Sequence, residues 1–260
     1  MLTLLTLAAS GLAADLTPEA LLDLERLPDA FACVGITRNQ SGEVVGGVAL
    51  DADGNVLRRT HPVADGFSVY ESLYWLRHTT AGGAEVLAWT RDRDADGAID
   101  EGGFLEYRGG LVVRSGRALG GTEVLEVTDY DYTFTPSGQV AGRTRSVSAF
   151  SQPPVADPHP LSVTWSADAT EAVVRSFSPG ASTPGAWLSF RYVLEDGRLV
   201  RQEGMDYGWV REKLIYVWSD DGTQLLSQTN TDTRLQTVYT PTGTQHPCRL
   251  AEARLPWQRG

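Results

Sequence analysis

The chain has 260 residues, of which 42% are hydrophobic and 21% charged, a composition that can bury a core and excludes a disordered chain. Its 33 acidic and 22 basic residues give a net charge of −11. The basic residues are scattered rather than clustered, which argues against a nucleic-acid face and disfavours an anionic membrane surface.

Residues 1–14 read MLTLLTLAASGLAA, an apolar run followed by small residues. This is the pattern of a secretory signal, cleaved after Ala13 or Ala14, although Lys and Arg are missing from its start. The other reading is a buried N-terminal helix. No later stretch approaches ~18 uninterrupted apolar residues, so no membrane-spanning helix is expected. Residues 15–260 are expected to form a single β-rich domain, secreted, periplasmic or at the cell surface.

After the signal comes LTPEALLDLERLPDAF, from Leu16. Thr17 can cap a helix, Pro18 suits its first turn, and Leu21, Leu24 and Leu27 share a face; Pro28 ends it. From Phe31 onward, short runs rich in Val, Tyr, Trp, Thr and Leu alternate with Gly, Asp, Asn, Pro and Ser, which is strand and turn punctuation. A loose unit recurs: strand, turn with glycine, strand. Its turn glycines are Gly54, Gly138, Gly197, Gly222 and Gly243, where a hairpin turn calls for positive φ. The expected fold is mainly β: an antiparallel meander of hairpins forming a curved sheet, barrel or sandwich, with one short N-terminal helix.

The units Tyr192–Gly197–Leu199 and Tyr216–Gly222–Leu225 resemble the YD-repeat (Rhs-type) pattern of an aromatic strand, an Asp–x–x–Gly turn and a second strand. In that family the repeats build curved sheets that enclose cargo. Too few units stand here to imply a shell.

Between Phe67 and Trp89 the pattern is ambiguous. Ser68 and Glu71 make a capping box for a helix, whereas Thr80–Gly83 followed by EVLAW reads as a hairpin; strand is preferred. In DYDYTF, Tyr130, Tyr132 and Phe134 share one face, read as core, and the aspartates share the other. Residues 151–160 and 176–185 are rich in Pro and Ser and read either as a linker between halves or as a long surface loop; with no composition shift across them, one domain is expected.

Two cysteines, Cys33 and Cys248, stand near the two ends of the mature chain. In an oxidising compartment they form one disulfide; the alternative is two separate buried thiols.

One motif carries chemistry. RDRDADGAIDEGGF places Asp92, Asp94, Asp96, Gly97 and Asp100 as D-x-D-x-D-G-x-x-D. Calcium takes 6–8 oxygen ligands, and carboxylates at alternate positions converge when the chain curls around the ion. Gly97 permits the turn, the Ala98 carbonyl can contribute, and Asp100 can close the shell, with Glu101 as a further candidate. Gly103 stands where an EF-hand needs Glu, and the flanks read as strands. The loop looks like the calcium hairpins of FG-GAP-type repeats, a resemblance that implies Asp92, Asp94, Asp96 and Asp100 as side-chain ligands. Calcium there is expected to be structural, since one closed loop lacks the open coordination that metal-assisted hydrolysis needs.

No zinc spacing joins His61, His78, His159 and His246, and no nucleophile elbow or phosphate loop is present. The leading expectation is an exported, non-enzymatic structural or binding protein with a calcium-stabilised hairpin and an unidentified protein or glycan partner. A hydrolase with acids assembled from distant strands, or a YD-repeat-like surface or toxin-delivery relative, are the alternatives.

Overall fold

The computed structural model describes residues 31–63, 66–80, 82–119, 123–149, 154–156, 161–177, 187–206, 209–242 and 246–259. The signal and the N-terminal helix expected before Phe31, and the Gly243 turn, lie outside these residues. The strands in chain order are β1 (Cys33–Arg38), β2 (Val44–Leu50), β3 (Val56–Val63), β4 (Gly66–Thr79), β5 (Glu85–Asp92), β6 (Glu101–Arg108), β7 (Leu111–Leu119), β8 (Glu123–Phe134), β9 (Val140–Ala149), β10 (Val155–Ala156), β11 (Leu161–Trp165), β12 (Glu171–Phe177), β13 (Trp187–Glu195), β14 (Arg198–Asp206), β15 (Trp209–Trp218), β16 (Leu225–Asn230) and β17 (Leu235–Pro241). A single helical turn, α1 (Pro256–Arg259), ends the chain.

Each strand pairs antiparallel with the next, β9 passing to β11 with the two-residue β10 alongside it. β17 returns to pair with β1, Cys33 opposite Pro241 through Arg38 opposite Gln236. Sixteen strands therefore close into one antiparallel barrel, the most specific of the three outcomes the sequence left open. The ambiguous segment from Phe67 is strand, part of the 14-residue β4. Closure removes both sheet edges.

Strand alternation separates lumen from exterior. Leu50, Val56, Val140, Val163, Val174, Tyr192, Leu199, Tyr216, Leu225 and Tyr239 come from strands around most of the ring, yet they share one buried cluster, so they face inward. Tyr130 and Tyr132 also face inward; Phe134, expected on the same core face, is 54% exposed because it sits at the hairpin end beyond a bulge.

One end of the barrel is built from tight turns, and aromatic side chains tie successive hairpins together there. The indole N–H of Trp75 donates to the Val56 carbonyl at 2.7 Å, Trp165 to Val140 at 2.8 Å and Trp218 to Leu199 at 2.9 Å; the Tyr132 hydroxyl donates to Val112 at 2.6 Å. The accepting residues are all buried, each just inside a strand that follows a tight turn. This is the physical content of the loose repeat.

A lumen of sixteen strands is too wide for wall side chains alone to fill. The C-terminal segment fills this end. Cys248, Leu250, Ala253, Leu255 and Trp257 join the core cluster, and Trp257 meets Trp165 edge-on at 5.9 Å between centroids. The segment is pinned by Leu225 N–H to the Cys248 carbonyl and by Ala251 N–H to the Gly54 carbonyl, both 2.8 Å. Gly54, at φ +85°, would put a Cβ 2.6 Å from the Arg249–Leu250 backbone, so the close approach requires glycine. The Cys33–Cys248 disulfide fastens the segment to β1.

Candidate functional site

The hairpin between β5 and β6 lies at the opposite end from the C-terminal segment. Asp100 N–H donates to the Arg91 carbonyl at 3.0 Å and closes the loop. Ala95 and Gly97 take positive φ, 58° and 92°. Within this curl, carboxylate oxygens of Asp92, Asp94 and Asp100 lie within 4.8 Å of one another. Two oxygens bound to one calcium stand at most about 5 Å apart, twice the metal–oxygen distance, so this spacing suits the ion.

The three acids are held differently. Asp92 is 5% exposed; its Oδ2 accepts the Gly97 N–H at 2.9 Å, while its Oδ1 is buried without a hydrogen-bond partner. Asp100 accepts the Arg93 N–H at 2.7 Å. Asp94 is exposed and accepts only a long contact, 3.4 Å, from Asp96 N–H. Asp96 itself does not join the cluster; its Oδ1 accepts the Ala98 N–H at 2.7 Å in a local turn. Glu101 does not join either.

Glu101 instead anchors an ion-pair network on the lumen face. Arg117 donates to it at 2.9 Å, Arg91 at 2.8 Å and Arg93 at 2.7 Å. Burial alone would push its carboxyl up, but the bonds from Arg117, Arg91 and Arg93 prevail and hold it at about 2. Arg91 also pairs with Glu71, which is 4% exposed and is reached by Arg59 at 2.9 Å. Arg59 continues to Glu252 of the C-terminal segment at 3.1 Å. The network thus runs from the acidic hairpin down the lumen to the segment that fills the far end.

This network was not read from the sequence. Its members stand on β3 to β7, the 93–100 hairpin and the C-terminal segment at spacings with no motif, and Glu71 looked like half of a capping box. The local signal available was alternation: Arg91 and Arg93 flank Asp92, so they must point to the face opposite it.

Glu71 and Glu101 share Arg91, which brings two acids together as the hydrolase alternative requires. The chemistry of Glu101 runs the other way. A glycosidase acid needs a raised value, and Glu101 is driven down.

Two exposed turns carry a matched pattern that sequence reading also missed. WSADATE at 165–171 and WSDDGTQ at 218–224 fold alike. Ser166 and Ser219 each donate to the following aspartate, Asp168 or Asp221, at 2.6 Å, and Thr170 and Thr223 each add a hydroxyl bond at 2.9 Å. The serine bond is the first cause, and both carboxyls fall to about 2. These are self-contained turn locks, each closing on the Oδ1 of its aspartate.

No family model and no curated protein matches this sequence. Among solved structures, a porin-like protein from Bacteroides uniformis is similar over 81% of this chain and 96% of its own, with a TM-score of 0.43 and 6% identity.

Proposed function

We propose that the chain is an exported, non-enzymatic barrel protein that meets water on its outer wall and carries one structural calcium ion at the 92–100 hairpin. The observation that carries the calcium reading is Asp92. A carboxylate oxygen buried without a partner costs stability, and a cation held jointly with Asp94 and Asp100 removes that cost. Ligands from both ends of one hairpin also staple β5 to β6, so the ion's role is stability. The Ala98 carbonyl remains a candidate ligand in this reading; Asp96 acts as the turn former that shapes the loop.

Export is supported by the disulfide, a bond that persists in oxidising compartments. The wall supports a water-facing exterior. Alternation turns Arg114 and Asp129 outward as a pair at 2.6 Å. It likewise turns Glu171, Arg191, Arg201, Glu203 and Lys213 outward as a network. Ionised residues on a lipid face cost about 2–4 kcal/mol each near the midplane for Arg or Lys. β1, β11 and β16 have six, five and six residues, short of the ~9–11 that span a bilayer.

The test is a thermal melt with calcium and then with chelator, repeated on Asp92→Asn. Binding only to the folded state must raise the melting temperature of the parent, and the variant must lose the response. An identical melt with and without calcium in the parent sinks the calcium reading.

A further inference from the structure

The outer wall is not uniform. On β1, Cys33 belongs to the lumen cluster, and a Cβ at Gly35 would meet the side chains of Val48, Thr237 and Tyr239, so both positions face inward. Val34 and Ile36 alternate with them and face outward. Register carries this outer face sideways, from Val34 to Ala49 and Arg58, and from Ile36 to Gly47 and Thr60. Outward residues on a bare wall meet water, yet Val34 is 1% exposed, Ile36 8%, Ala49 9% and Thr60 6%. Across the seam the pattern stops: Val238, the partner of Ile36 on β17, is 46% exposed.

Phe31, Val34, Ile36, Val44 and Ala49, with Leu57 packed against them, form a second buried cluster outside the barrel. No apolar side chain from any other described part of the chain joins it. Arg58 lies over the Phe31 ring at 5.7 Å, and burial lowers its pKa, which is consistent with a cover over this face. The Thr60 hydroxyl is buried without a hydrogen-bond partner, whereas a threonine on a bare wall would bond to water.

We propose that residues 16–30 of the same chain cover this face, as a helix whose leucines lie on β1–β3. Three observations name that segment. Phe31, a member of the cluster, directly follows it, so the segment begins its course beside this face. Leu21, Leu24 and Leu27 share one helical face and supply the apolar layer that the cluster lacks, while Glu25 and Arg26 fall on the far side. The length also fits. Pro18 to Leu27 in helical form measures about 15 Å, enough to cross β1 to β3, whose axes span about 10 Å. The segment then acts as a strap across the first three strands, leaving the rest of the wall to water.

The experiment is limited trypsin digestion of the chain from Asp15 onward, with cutting at Arg26–Leu27 followed by mass spectrometry. That bond lies inside the segment, and trypsin reaches it only when the segment has left the wall and unfolded. A synthetic peptide of residues 15–30 gives the unprotected rate. The parent is expected to be cut at least about tenfold more slowly than the peptide. Two variants should bring the rate up to that of the matching peptide: Leu21→Asp with Leu24→Asp on the segment, and Ile36→Asp on the wall. A thermal melt establishes that each is folded; should Ile36→Asp fail to fold, the leucine pair, which lies outside the barrel strands, carries the test. Cutting of the parent at the peptide's rate overturns the proposal, and so does parent-like protection in either folded variant. Protection that disappears on dilution, with a dimer seen in sedimentation, would give the face to a second copy and overturn it too.

Discussion

Glu101 carries one negative charge among three guanidinium groups, and that imbalance sets how it titrates. Its folded value of about 2 lies below its ordinary 4.5, so its contribution is complete above about pH 4.5 and drains away as pH falls toward 2. Glu101→Gln should therefore cost stability at pH 6 and much less at pH 3. The arginines are 36% to 57% exposed, so the cost should be about 2 kcal/mol, below the 3–5 kcal/mol of a fully buried pair. Urea denaturation of both proteins at the two pH values checks this; a pH-independent difference would count against it. The same scale explains what the sequence could and could not show of the acidic hairpin. The D-x-D-x-D-G spacing announced the curl, and Asp92, Asp94 and Asp100 do converge. Asp96 does not, and spacing alone does not tell which acid of the curl turns away from the others.

At the scale of strands and hairpins, glycine placement was informative. Gly54, Gly138, Gly197 and Gly222 do sit in turns at positive φ. The aromatic ties across those hairpins were less legible. Trp218 reaches a carbonyl 19 residues back on the neighbouring strand, and such a bond depends on register that bulges reset, as between Gly204 and Met205 in the pairing of β14 with β15. Trp218→Phe keeps most of the ring's burial but leaves the Leu199 carbonyl unpaired. It should lower the unfolding free energy by about 1–2 kcal/mol without loss of strand content. Chemical denaturation followed by circular dichroism measures both; an unchanged midpoint would mean the tie holds nothing. The C-terminal segment left still less trace. RLAEARLPW mixes charged and apolar residues because it lies half against the core and half against the lumen's ion pairs, as Arg59–Glu252 shows.

Over the whole molecule, strand content followed from composition and turns, but closure did not. A sandwich and a barrel use the same hairpins, and the pairing that separates them joins residues about as far apart as the chain allows. The disulfide belongs to this scale, since it spans 215 residues. Closing so long a loop gives about 5 kcal/mol as an upper estimate from loss of freedom in the unfolded chain. Replacing both cysteines by serine should cost 2–5 kcal/mol in urea unfolding, with the calcium response retained if the hairpin acts alone. A double variant as stable as the parent would place the segment's hold in packing instead.

The pairing of β1 with β17 also has a temporal meaning. Every other strand pairing in the wall joins neighbours in the chain, with β9 meeting β11 past the two-residue β10, but this seam needs the first and last strands together, and Thr242 N–H bonds the Ala32 carbonyl beside it. Until the final strand has emerged, the nascent sheet must carry two bare edges, each able to recruit a stray strand. The chain's end then arrives with its own latch, docking onto the far rim just as the seam zips. Order along the chain and order of assembly thus run the same way, and the two edges stay bare until β17 is in place.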